Sequence, residues 1–233
     1  MTIDELYRYI QFIANKEQRG FIKPTEFNLL ADRAQMELFT KRYNNLKEAT
    51  SQNYKNTQVK TEPGSQYTNS QKSLDDLRPF INHNVALTYG TNAFDYPTDY
   101  IHMTGLFFNK KNVKIVGEDK IYGILNSSIV PPTESRPVAV LDRDGVHLYT
   151  SSDGATVASG DLRCTYLRRP DRPQWAYVEI NNNPIYDPTN STQLGFPEQT
   201  HNELAVTMLT YIGVNVKDSD IYTLATTKAK EGV

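Results

Sequence analysis

The chain is nearly devoid of cysteine: Cys164 is the only one in 233 residues. An internal disulfide and a cysteine-cluster metal site are thereby excluded, and a reducing compartment is permitted. Long apolar runs are missing as well, and no stretch approaches the roughly 18 residues that a membrane-spanning helix requires. The opening, MTIDELYRYIQFIANKEQRG, carries Asp4 and Glu5 and lacks both an apolar core and a small-residue cleavage site, unlike a signal peptide. The expectation is a soluble protein made in a cell and used there or in something assembled there. Charge of one sign is also lacking, because 25 basic and 27 acidic side chains leave a net charge of −2. Nothing in that balance draws the whole chain toward nucleic acid or an anionic membrane.

Tyrosine is abundant: there are fifteen, against one tryptophan. Tyrosine buries a ring while keeping a polar tip, which suits wet, half-buried surfaces. A hydrophobic fraction of 38% is enough for a core, so wholesale disorder is excluded.

Periodicity then divides the chain. Thr2 and Glu5 have capping-box spacing, and Ile3, Leu6, Ile10 and Ile13 recur at intervals of three and four, which predicts an amphipathic helix closed by Gly20. Pro24 starts a second, long helix with Phe27, Leu30, Ala31, Ala34 and Leu38 on one side, continuing to about Glu48. Residues 50–72 are polar without apolar period and predict a loop or extended arm. Ser73 is expected to cap a short helical turn that Pro79 breaks. From about Val85 to Tyr177 short β-branched and aromatic runs alternate with turn signals, notably Asp144-Gly145 and Asp153-Gly154. In the run Leu162 to Leu167, Leu162, Cys164 and Tyr166 point one way while Arg163 and Thr165 point the other. Helix returns where Thr200 and Glu203 repeat the capping-box spacing ahead of Leu204, Ala205, Met208, Leu209 and Ile212, closed by Gly213, and Ser219 is placed to cap a last short helix. The fold class is therefore α+β: a helical bundle built from the N- and C-terminal segments (1–84 and 197–233), with an inserted antiparallel β domain (85–196).

Catalytic patterns are sparse. His83, His102, His147 and His201 lack metal-ligand spacing and read as ordinary surface or hydrogen-bonded histidines. Asp142-Arg143-Asp144-Gly145 has its glycine at the wrong position for a calcium loop and reads as a hairpin turn. The carboxylate pairs Asp75-Asp76 and Glu118-Asp119 are adjacent on one element and do not flank a substrate. No GxSxG, phosphate-binding loop or GxGxxG occurs. No cofactor or metal is expected. The densest unusual stretch is Tyr166-Leu-Arg-Arg-Pro-Asp-Arg-Pro-Gln-Trp175, where Arg168, Arg169, Arg172 and Trp175 are the candidate interface residues. Three readings are open: a protein-interface anchor, a nucleic-acid contact, and a rigid loop whose tryptophan plugs its own core.

The opening DELYRYIQFIANKEQRGFIKPTEFNLLADRAQMELF resembles the start of structural proteins of crAss-like tailed phages. Tyr96-Pro-Thr-Asp-Tyr-Ile101, Pro131-Pro-Thr133, Tyr166-Leu-Arg-Arg-Pro170 and the helix Glu203 to Gly213 resemble head-to-tail connector (adaptor) proteins of short-tailed phages. This resemblance implies a non-enzymatic ring subunit at the capsid–tail junction of the virion, assembled in the host cytoplasm. Its expected partners are copies of itself in a closed, twelve-fold ring, the portal protein, the next tail ring or tail-tube protein, and genomic DNA passing without sequence-specific binding. The alternatives are another tail-tube or collar component, a nucleic-acid-binding module using the three arginines and Trp175, and, last, a glycan hydrolase.

Overall fold

A computed structural model describes residues 1–16, 22–55, 65–181 and 183–215. The chain is of mixed α+β class, with helices toward both termini and a central β region. It divides into two compact units, Met1–Pro79 with Pro170–Val233, and Phe80–Arg169. Residues 170–196, which the sequence reading grouped with the β block, cluster with the helices instead.

In the helical unit, α1 (Ile3–Lys16) begins on a reciprocal capping box: Thr2 N donates to Glu5 Oε2 at 2.7 Å and Glu5 N donates to Thr2 Oγ1 at 3.2 Å. Its buried face is Ile3, Leu6, Tyr7, Ile10 and Ala14. The long helix α2 (Pro24–Lys55) runs 32 residues, about 48 Å at the usual rise. It buries Phe27, Ala31, Ala34, Leu38 and Phe39, and packs against α3 (Ser65–Leu77) and α5 (His201–Asn215), while α1 packs against α5. Joining of the two termini in one helical unit thus holds among the described residues.

The expected polar loop over 50–72 is corrected where it is described: 50–55 extend α2 and 65–72 belong to α3. Residues 56–64 lie outside the described residues, as do Gly20 and the expected last helix after Ser219. The apolar-period test misses α3 because its packing face is largely polar, with Ser73 and Asp76 buried beside Leu77. Ser73 consequently lies inside the helix and is not its cap, and a 3-10 turn (Arg78–Phe80) contains Pro79. The second capping box is also corrected. Thr200 ends a 3-10 turn (Glu198–Thr200) and donates its hydroxyl to Pro197 O at 2.8 Å, while Glu203 turns away to α2. Helix α5 also passes through Gly213 to Asn215.

The β unit holds two sheets. In the first, β1 (Ile81–Ala86), β7 (Leu162–Arg168), β2 (Tyr100–Phe108) and β3 (Lys111–Asn112) pair antiparallel in that order. In the second, β4 (Lys114–Val116), β5 (Val138–Leu141) and β6 (Val146–Tyr149) are neighbours. The β5–β6 hairpin turns at Asp144-Gly145 as expected. Asp142 Oδ1 accepts from Asp144 N and Gly145 N, and Gly145 sits at φ +149°, where an added Cβ would meet Phe94 O at 2.3 Å. One pairing departs from the all-antiparallel expectation: β4 and β5 are parallel, and α4 (Glu118–Leu125) makes the crossover between them. The core beneath the sheets is Leu87, Phe94, Leu106, Phe108, Ala139, Val146, Leu148, Leu162, Cys164 and Tyr166, so the expected inward set of β7 is observed, but Thr165 and Leu167 are buried as well and β7 is not the half-buried strand that the alternation predicts. A second cluster, Ile121, Leu125, Val138 and Val140, sits under α4.

Candidate functional site

The run from Tyr166 to Trp175 spans the division between the units. Arg168 ends β7, half-buried, opposite Tyr100. Arg169 is exposed and its backbone N–H donates to Asp99 O at 2.7 Å. Both belong to the β unit, whereas Arg172 and Trp175 belong to the helical one. Arg172 is 72% exposed, with Nε 3.6 Å from Asp32 Oδ2, a weak surface pair. The loop is stiff for reasons beyond its prolines. Gln35, fully buried on α2, donates from Nε2 to Asp171 O at 2.8 Å and accepts from Gly195 N at 3.0 Å, tying two loops to one helix. Pro170 and Pro173 are buried.

Trp175 points inward. Only 3% of it is exposed, so of the three readings of this residue the plug of its own core is the one observed, and Trp175 is not a surface anchor in the subunit. Asn28 on α2 embraces its backbone, accepting from Trp175 N at 2.7 Å and donating to Trp175 O at 3.2 Å. Its indole Nε1 donates to Asp4 Oδ1 at 3.0 Å. The ring lies 4.3 Å from that of Tyr7 and stacks at 5.8 and 5.7 Å on Tyr177 and Tyr186. Burial, followed by the neighbouring Tyr177, pushes the Tyr7 hydroxyl up to about 12, so it stays neutral.

Tyr177 and Tyr186 open a two-stranded hairpin, β8 (Tyr177–Ile180) and β9 (Asn183–Tyr186), that the sequence reading did not separate from the β block. Asn181 at φ +53° begins its turn. Register places Val178 opposite Ile185, so Val178, Ile180 and Ile185 share the face that points away from Trp175. They are 54%, 51% and 50% exposed. A comparable feature lies on and just after α4, where Tyr122, Ile129 and Val130 are 73%, 85% and 51% exposed. Phe12 and Leu29 are exposed in the helical unit. The sequence holds the signals for the first two, Val-x-Ile before an Asn-Asn turn and Ile-Val before Pro-Pro, but exposure is a tertiary property.

The β unit also carries a cavity of about 690 Å³ on the open face of its larger sheet, lined by His83, Asn84, Gly105, Phe107, Lys110 and Arg163 among others. Its arginine is already engaged, since Arg163 Nε donates to both oxygens of Asp161 at 2.8 and 3.1 Å. His83 Nδ1 lies 3.4 Å from Thr165 Oγ1, a long cross-strand tie, and no carboxylate orients the imidazole among the described residues. His147 does pair with a carboxylate, Asp142 at 2.7 Å, bracing the hairpin turn. His201 is buried with Nε2 2.9 Å from Phe196 O. Among the described residues no three His, Cys, Asp or Glu side chains converge as metal ligands, and no helix is long and apolar enough to cross a membrane.

No protein-family model and no curated protein matches the chain.

Proposed function

We propose that this chain is a structural ring subunit of a bacteriophage virion, joining the capsid portal to the tail and forming part of the DNA channel. The observation that carries the reading is apolar side chains left bare in separate places: the outer face of the β8–β9 hairpin, the segment after α4, and Phe12 and Leu29. A monomer gains nothing from them, whereas a subunit with neighbours on two sides covers them on assembly. The sequence resemblance to connector proteins supplies the biological setting. In this setting each of Arg168, Arg169 and Arg172 is a candidate for pairing with carboxylates of an adjacent subunit, and the loop pinned by Gln35 lowers the entropy lost on docking.

The test is to image the purified protein, alone and mixed with the portal protein, by negative-stain electron microscopy. Uniform rings that cap the portal are the expected result. Rings that ignore the portal and stack on tail tubes place the protein further down the tail, and a protein that stays monomeric under both conditions defeats the proposal. Replacing Arg168, Arg169 and Arg172 together with glutamine is expected to leave a folded subunit that fails to enter particles. Normal particles with impaired DNA retention would put these arginines in the channel instead.

A further inference from the structure

The larger sheet of the β unit is disturbed at one level on both sides of the central strand β7. Between the pairs Asn82–Tyr166 and Val85–Cys164, β1 carries His83 and Asn84 where β7 has only Thr165. Between the pairs Met103–Tyr166 and Gly105–Thr165, β2 inserts Thr104 where β7 has no residue to match it. Two bulges thus flank Thr165, and bulges re-aim side chains beside functional sites. Thr165 also ties the displaced residues in place. Its carbonyl accepts from Thr104 Oγ1 at 2.8 Å, and its Oγ1 accepts from Asn84 N at a long 3.5 Å. Asn84 sits at φ +57°, and Lys110, in the two-residue turn between β2 and β3, sits at φ +67°. Glycine is the favoured occupant of that turn position, so the lysine is held there against its backbone preference. These displaced and strained residues all line the cavity of about 690 Å³, whose lining belongs wholly to the β unit.

The chemistry of the lining is of two kinds. Register sets Phe107 directly opposite Arg163, so an aromatic ring and a guanidinium are neighbours. The hold of Asp161 on Arg163 Nε orients that guanidinium, and its Nη1 lies 3.5 Å from Asn84 O. Lys111 turns its ammonium to Glu134 O at 3.3 Å, whereas the exposed Lys110 lines the cavity. Gly105 leaves the strip beside the ring bare, where a Cβ would touch Phe107 Cε2 at 3.6 Å and Cζ at 3.8 Å. Lys110 and Arg163 against the single carboxylate of Asp161 favour an anion, and half-buried Phe107 offers its ring to a flat partner.

We propose that this cavity binds a nucleotide unit, with its phosphate on Lys110 and Arg163 and its base stacked on Phe107. An inorganic anion leaves the ring unused, and an uncharged ring leaves the cations unused, whereas a nucleotide engages both. The volume falls within the range of about 300–1,000 Å³ usual for small-molecule sites. A free mononucleotide and a single strand of nucleic acid both carry this unit. A duplex does not offer it, because its bases are stacked on one another. The site rests on the β unit alone and is independent of the ring function proposed above.

The experiment titrates the full chain by calorimetry at physiological salt with AMP, adenosine, inorganic phosphate, a single-stranded oligodeoxyadenylate and a DNA duplex of the same length. AMP and the single strand are each expected to bind about tenfold or more tightly than adenosine or phosphate. A single strand that exceeds AMP by more than about tenfold identifies a strand as the source of the nucleotide. A smaller difference identifies the free nucleotide. AMP and strand that bind no more tightly than phosphate overturn the site, and a duplex that binds as tightly as the single strand overturns the stacking on Phe107. Phe107→Ala and Lys110→Gly are each expected to weaken binding by about tenfold, and Phe107→Trp to keep it. Lys110→Gly is also expected to melt no lower than the parent, because glycine accepts φ +67° without strain. It therefore keeps the test decisive if Phe107→Ala fails to fold. A Lys110→Gly protein that binds nucleotide like the parent overturns the proposal.

Discussion

The two units bury different things. The helical unit encloses charge: Arg42, 6% exposed, donates from Nε to fully buried Asp76 at 2.8 Å and from Nη2 to Glu203, which also accepts from Lys41 at 2.8 Å. Gln199 Nε2 completes the set on Asp76 Oδ1 at 3.0 Å, so α3 and α5 meet α2 at one guanidinium, and the turn before α5 joins through the Asp76 carboxylate. The β unit instead encloses an almost wholly apolar cluster, and Tyr166, its polar member, sends its hydroxyl out to Asp99 at 2.8 Å and Asn82 at 2.9 Å. The difference arises from the elements. Sheet faces alternate cleanly and can present a dry side, whereas α3 has few apolar residues and must be held by a directed ionic contact. Such a contact specifies which helices meet and in what register, although its net gain in stability is small after desolvation.

This contrast is broken most severely by removing one buried partner. Asp76→Ala leaves Arg42 without its fully buried carboxylate and is expected to cost about 3–5 kcal/mol. Calorimetry should show the loss, and if the units melt separately only the helical transition should move. In the β unit, Leu148→Ala opens a cavity in an apolar core and is expected to cost about 2–5 kcal/mol, shifting the other transition. Equal displacement of one shared transition by both variants would show that the units unfold together. The smallest effect is pH-dependent. Burial alone would raise the Glu203 carboxyl, but the hydrogen bond from Lys41 and the charges of Arg42 and Lys41 overcome it and hold the group below its usual range. A depressed folded value means the stabilisation is present above the ordinary glutamate pKa of about 4.3 and is lost as pH falls through the lower folded value. Glu203→Gln should therefore lower stability at neutral pH and flatten the acid limb below about 4.3, read from thermal melts across that range. An acid limb as steep as that of the parent would assign the pH response to other carboxylates.

Several elements were legible because their causes lie within a few residues. The Thr2/Glu5 box, the Pro24 helix start, the Asp144-Gly145 turn and the inward set of β7 all depend on local spacing and local backbone geometry. The same Thr-x-x-Glu spacing at Thr200 failed because Glu203 had a stronger option on α2, which no local pattern reveals. The candidate interface stretch was legible as stiff and unusual, and Gln35 shows why, but the direction of Trp175 was not. That direction depends on Asn28 and Asp4, 147 and 171 positions away.

By itself, then, the sequence determined the mixed class, the helical ends around a β region, the Thr2/Glu5 cap, the Pro24 helix start and the Asp144-Gly145 turn, since each depends on hydrophobic period or on backbone groups satisfied nearby. The tertiary structure alone decided which polar groups became partners, that α3 is helical, that α4 crosses between parallel strands, and which aliphatic side chains of β8, β9 and the segment after α4 were left bare. Those outcomes turn on competition between distant groups for the same space and the same hydrogen bonds, and that competition is resolved only when the chain has closed.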